Sequence, residues 1–118
     1  MPQSSSIQAL RSLVRLGFYV HNLRRMEQKS EELLLSGEHP VVFYVLQSMF
    51  SDLRMSWEDY PLAATENREV QETLTVPIDD LLAMILAEAP EEAISEQLGR
   101  IITEFIHVRS VAGGKGHP

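Results

Sequence analysis

The sequence predicts an all-α protein, a four-helix bundle-like domain with a long first helix. Apolar residues recur at spacings of three and four over most of the chain, which is typical of helices that bury one face. Proline and glycine stand between these periodic stretches, where helices begin and end. The chain has 118 residues, enough for one modest core. We therefore expect one helical domain over residues 7–110, a frayed lead over 1–6 and a flexible tail over 111–118.

The first helix is predicted from Ile7 to about Leu35. One face carries Leu13, Leu16, Val20, Leu23 and Leu34, with Leu10, Val14 and Phe18 beside it. Gly17 lies within this pattern and costs about 1 kcal/mol relative to alanine in a helix interior. It therefore indicates either a tight helix crossing or a kink. Gly37 and Pro40 end this helix and start the next.

The second helix, residues 40–57, is predicted to be the centre of the fold. Its apolar stripe consists of Val42, Leu46, Met49, Leu53 and Trp57, widened by Phe43 and Phe50. Its first two turns are apolar on almost every side, which indicates a helix surrounded by other elements.

The unequal lengths of these helices predict a partner interface. At 1.5 Å per residue the first spans about 43 Å and the second about 27 Å, so an antiparallel pair leaves the start of the first helix overhanging. The overhanging face needs the last helix of the chain, a second copy or another protein to cover it. The predicted interface residues are Leu10, Arg11, Leu13, Val14, Arg15 and Phe18.

The segment between the second and third helices, residues 62–76, leaves three interpretations open: helix, strand or loop. Acidic and polar residues after Thr65 suit a short exposed helix. Val70, Leu74 and Val76 alternate with threonines, which instead indicates a short strand. Since a lone strand must pair outside its own chain or dock as an extended arm, these three residues join the predicted interface.

Two further helices complete the predicted bundle. Pro77 opens the third, over residues 78–88, and Pro90 separates it from the fourth. The fourth carries a stripe of Ile94, Leu98, Ile101, Phe105 and Val108.

The net charge of −7 is unevenly distributed. Residues 1–30 carry five cations and one carboxylate, whereas residues 31–108 carry 16 carboxylates and three cations. Such an acidic body disfavours nucleic acid as a partner. Arg11 and Arg15 lie one helical turn apart, and we interpret this basic segment as a solvated face attracted to acidic protein surface.

Candidate metal ligands are few. Glu104 and His107 form one E-x-x-H pair, whereas di-iron bundles use two such pairs and two further glutamates. Carboxylates between Glu66 and Asp80 could face Mg²⁺, but acidic helical faces are more commonly solvated. We expect no cofactor and identify no catalytic residue.

The sequence favours a non-enzymatic protein–protein interaction module, such as an assembly factor, adaptor or regulator, that acts as a helical homodimer. Its expected partners are a second copy and another protein. The alternative hypothesis is a small metal-dependent helical enzyme using the clustered carboxylates and the E-x-x-H pair. With no cysteine, no apolar run of 18 residues and no signal-peptide pattern, we expect a cytoplasmic protein with no membrane contact.

Overall fold

The protein is all-α, as predicted, with five helices rather than four in the part of the chain that is described. A computed structural model describes residues 2–59 and 64–115, and side-chain surroundings over 4–58 and 68–109. The helices are α1 (Pro2–Leu16), α2 (Val20–Leu35), α3 (Pro40–Asp59), α4 (Ala64–Leu86) and α5 (Glu91–Lys115). The predicted frayed lead is helical from Pro2, and α5 runs through residues 111–115 of the predicted tail. Residues 116–118 lie outside the described chain.

The chain divides into two compact units, Met1–Pro61 and Leu62–Pro118. In the first unit α1 packs against α2, and α2 packs against α3. In the second unit α4 and α5 pack as a helical hairpin.

The predicted long first helix is broken at residues 17–19. Gly17 has a φ of 129°, in a region that residues with a Cβ atom rarely enter. Asn22 is fully buried, and its Nδ2 atom donates hydrogen bonds to the carbonyl oxygens of Leu13 (2.7 Å) and Gly17 (2.6 Å). These bonds satisfy carbonyls at the end of α1 that the break leaves without helical partners. Of the two interpretations of Gly17, the kink is therefore correct, in the form of a complete helix end.

The break removes the geometry on which the overhang depended. The apolar side chains assigned to the overhanging face are Leu10, Leu13, Val14 and Phe18, and all four are at most 7% exposed. Phe18 lies in the break and packs edge-on against Phe50 of α3, with ring centroids 6.1 Å apart and planes at 86°. The prediction that this face overhangs is wrong, because a helix that ends at Leu16 can fold back instead of extending past α3.

The buried apolar stripe predicted for the second helix, which corresponds to α3, is confirmed, since all seven of its residues are at most 6% exposed. The expectation that the first turns are covered on every side is wrong. Val41 is 67% exposed and Tyr44 is 62% exposed.

The second unit contradicts the strand and the helix start at Pro77. Residues 70–76 lie inside α4, which continues through Pro77. Val70, Leu74 and Ile78 are buried at four-residue spacing, so the helical period prevails over the alternation with threonine. Proline lacks the N–H that would bond to the Thr73 carbonyl. Packing of α4 on α5 compensates, and Gln97 Nε2 donates a 3.0 Å hydrogen bond to the Pro77 carbonyl oxygen.

Two turns end their helices with residues in the left-handed region. Gly37, with a φ of 86°, follows α2 as predicted. After α4, Glu88 has a φ of 56°. The N–H of Glu88 donates to the Ile85 carbonyl oxygen, and the N–H of Ala89 donates to the Met84 carbonyl oxygen. These two bonds form a Schellman motif, which usually has glycine where Glu88 stands.

Candidate partner interface

An exposed stripe of weak polarity runs along α3. We call Val41, Tyr44, Ser48, Asp52 and Met55 the α3 stripe. Val41, Tyr44 and Met55 are between 51% and 67% exposed, Ser48 is exposed and Asp52 is half-buried. Steps of three and four residues place all five on one side of the helix. From Val41 to Met55 the stripe is about 21 Å long.

The α3 stripe faces away from the buried side of its own helix. At 100° per residue, its centre lies about 150° around the axis from the centre of the apolar stripe that includes Leu46 and Leu53. This surface was not predicted, because the first two turns of the helix were expected to be covered by other elements on almost every side. The signal was available, since the phase set by Leu46 and Leu53 alone puts Val41 and Tyr44 on the opposite side.

Four charged side chains fix α2 against α3. Arg54 donates to Glu27 of α2, with Nε 2.5 Å from one carboxylate oxygen and Nη2 3.2 Å from the other. Arg24 of α2 donates to Glu58 of α3 through Nε (3.1 Å) and Nη2. Arg54 also reaches Glu58 over 3.3 Å. These bonds hold α3 in one orientation on α2 and so fix the direction in which the α3 stripe faces.

The same ion pairs shift two pKa values. Glu27, chiefly through its hydrogen bond, raises the pKa of the Arg54 guanidinium. The hydrogen bond from Arg24 is the main cause that lowers the pKa of the Glu58 carboxyl. Because Glu58 is exposed, solvent weakens its contribution to stability.

A groove of about 430 Å³ lies between the exposed sides of α1 and α2. It is lined by Ala9, Ser12, Leu13 and Leu16 of α1 and by Arg25, Gln28, Lys29 and Glu32 of α2. Lys29 and Glu32 form an ion pair of 2.7 Å. Leu16, which is 60% exposed, gives the groove an apolar rim.

The sequence-predicted interface residues of α1 do not form an exposed apolar face. Leu10, Leu13, Val14 and Phe18 are buried, as described above. Arg11 is half-buried and Arg15 is exposed, and both already engage other groups of the chain.

The predicted interface residues of α4 are separated by the helix. Val70 and Leu74 are at most 1% exposed, whereas Val76 is 62% exposed. The structure therefore does not bring these three side chains together at a surface.

The metal candidates lie on α5. Glu104 is half-buried and His107 is exposed. Over the side chains described, no group of three or more His, Asp or Glu residues is placed to hold a metal ion. Glu66 lies outside the residues whose side chains are described, so the carboxylates expected between Glu66 and Asp80 are placed only in part.

Two buried polar residues of α2 were not predicted from the sequence. Asn22 and Ser30 are fully buried on α2, at helical spacing with Met26 and Leu33. A polar residue on an otherwise apolar stripe, five residues after a glycine, is the signal that could have identified Asn22 as a cap. Trp57, at the end of the predicted apolar stripe of α3, is 6% exposed and packs in the interior.

Comparison with protein-family models, curated proteins and solved structures found no match. Among the described helices, none combines the length and hydropathy required to cross a membrane.

Proposed function

We propose that this chain is a non-enzymatic protein–protein interaction module that acts as a homodimer, in the role of an assembly factor, adaptor or regulator. The observation that supports this most directly is the exposure of Val41, Tyr44 and Met55 along one side of α3. Three large apolar side chains aligned on one helix face lose contact with water when a second helix covers them.

The near absence of charge on the stripe allows a second copy to be the partner. The chain carries a net charge of −7, so two copies repel each other over most of their surface. The α3 stripe has a single charged residue, Asp52, and no charge at Val41, Tyr44, Ser48 or Met55. It is therefore a face on which two copies can meet with little repulsion.

A dimer built on one helix pair is expected to be concentration-dependent. Stable interfaces bury about 800 Å² per partner over 20–30 residues, and the stripe supplies only five. Light scattering across a dilution series should give a mass that rises from 13.4 kDa towards twice that value. A mass of 13.4 kDa at every concentration would refute the homodimer.

The cytoplasmic location expected from the cysteine-free sequence belongs to the same proposal. Fractionation of cells that carry a tagged chain would test it.

A further inference from the structure

The α3 stripe is arranged symmetrically about Ser48. Val41 precedes Ser48 by seven residues and Met55 follows it by seven. Tyr44 precedes it by four residues and Asp52 follows it by four. In two antiparallel helices related by a two-fold axis, residues at equal distances on either side of the centre face each other. The stripe therefore defines one register in which every residue has a partner.

We propose that two copies pair through antiparallel α3 helices centred on Ser48, an inference that rests on the homodimer proposed above. In this register Val41 faces Met55 of the second copy, and Tyr44 faces Asp52 of the second copy. Each of these pairs occurs twice, because the two-fold axis relates the two copies and repeats every contact.

The chemistry of each pair suits its place. Valine and the flexible thioether side chain of methionine form an apolar contact that adapts to an irregular gap. Asp52 already interacts with another group of its own chain, but a carboxylate has about four acceptor sites, so the tyrosine hydroxyl of the second copy can donate a further, charge-assisted hydrogen bond to it. The distance between the axes of two packed helices is about 8–10 Å and depends on the side chains at the crossing. Because Ser48 is small, it lets the two α3 helices approach closely at the centre of the interface.

The negative charge of Asp52 favours the antiparallel arrangement over the parallel one. In a parallel pair each stripe residue faces its own counterpart, so the two Asp52 carboxylates meet and repel. In the antiparallel pair the two carboxylates lie about 12 Å apart along the axis, since each is four residues from the centre. Each then faces a hydroxyl donor instead of a like charge.

Cysteine cross-linking tests the register, because the chain contains no cysteine of its own. Ser48→Cys should form a disulfide-linked dimer in oxidised glutathione, since the Cβ atoms at the crossing can approach the 3.5–4.5 Å that a disulfide needs. Ser95→Cys makes the same change at an exposed position of α5 and serves as the control. We expect Ser48→Cys to cross-link at least about tenfold faster, because a dimer raises the effective thiol concentration to the millimolar range.

A mixed pair tests the antiparallel direction. Val41→Cys mixed with Met55→Cys should cross-link faster than either variant alone, because two copies of residue 41 lie about 21 Å apart in this register. Faster linkage of Val41→Cys to itself would show parallel packing and overturn the proposal.

The cross-linking result is read beside the solution mass. If the wild type dimerises but Ser48→Cys links no faster than Ser95→Cys, the register is wrong and the homodimer stands. If the wild type is monomeric throughout, both proposals fail.

Discussion

The Nδ2 atom of Asn22 donates a 2.7 Å hydrogen bond to the carbonyl oxygen of Leu13, nine residues earlier in the chain. The same nitrogen donates to the carbonyl of Gly17 over 2.6 Å. One buried side chain on α2 thus closes the end of α1 and fixes the turn between the two helices. This turn decides that the apolar face of α1 is buried rather than exposed.

Replacement of Asn22 should destabilise the first unit. Asn22→Ala removes the donor of both bonds, and leaving buried carbonyls unpaired costs about 1–3 kcal/mol. Asn22→Asp keeps the shape but replaces the donor by a carboxylate oxygen beside two carbonyls, so we expect a larger loss. Urea unfolding of both variants measures this order. If Asn22→Asp were as stable as the wild type, the role of Asn22 would be steric only.

Two glycine substitutions should have opposite effects. Gly17→Ala places a Cβ atom at a φ of 129° and should destabilise the protein by more than about 1 kcal/mol. Gly99→Ala changes an exposed position inside α5, with no atom within 4 Å of the added Cβ, and should stabilise it by about 0.4–1 kcal/mol. Thermal unfolding of the pair provides the comparison. A stabilising Gly17→Ala would indicate one continuous helix over residues 7–35.

Glu88 offers a stabilising substitution at the end of α4. Its left-handed backbone costs a residue with a Cβ atom about 1–2 kcal/mol. Glu88→Gly should therefore raise the free energy of unfolding by about 1 kcal/mol, after the greater entropy of unfolded glycine is subtracted. Glu88→Ala retains the Cβ atom and is the control, for which we expect no gain. Equal gains from both variants would attribute the effect to the glutamate side chain instead.

The Arg24–Glu58 ion pair makes stability depend on pH. Because the pKa of Glu58 is lowered in the folded state, its ionised form stabilises the fold above the carboxyl pKa of the unfolded chain. That contribution disappears as the pH falls through the folded-state pKa. Glu58→Gln should therefore be less stable than the wild type at neutral pH, and the difference should shrink on acidification.

Glu31→Gln makes the same chemical change at another exposed position. It controls for the loss of one negative charge, so urea unfolding of both variants is compared at neutral and acid pH. A constant difference between Glu58→Gln and the wild type across the pH range would contradict the role of the ion pair.

The sequence predicted helices well where a single apolar stripe was long, as for α3 and α5. It failed at Gly17, where the backbone conformation ends one helix, so that the next helix starts in a new direction with its buried face at a different rotation. The pattern on the predicted first helix included Leu16, which is 60% exposed, because the break at Gly17 redirects the chain. Whether a glycine bends a helix or ends it depends on the buried Asn22, whose bonds form only after α1 and α2 pack together.

In the second unit, a local signal predicted a helix boundary that the packing of the folded chain overrides. Pro77 usually starts a helix, but here packing of α5 and the bond from Gln97 support a helix that passes through it. Such support comes from residues 20 positions away and is not visible in a local pattern. The α3 stripe was recoverable, because the buried phase of α3 was known and its opposite face could have been identified from it.

The most direct test of the homodimer compares the solution masses of two arginine variants with that of the wild type. Val41→Arg adds a charge to the α3 stripe, and Val76→Arg makes the same change at a similarly exposed position on α4. At a concentration where the wild type is dimeric, we expect Val41→Arg to be a folded monomer of about 13.4 kDa and Val76→Arg to remain a dimer. A folded Val41→Arg that keeps the dimer mass, or a Val76→Arg that alone loses it, would contradict the α3 interface.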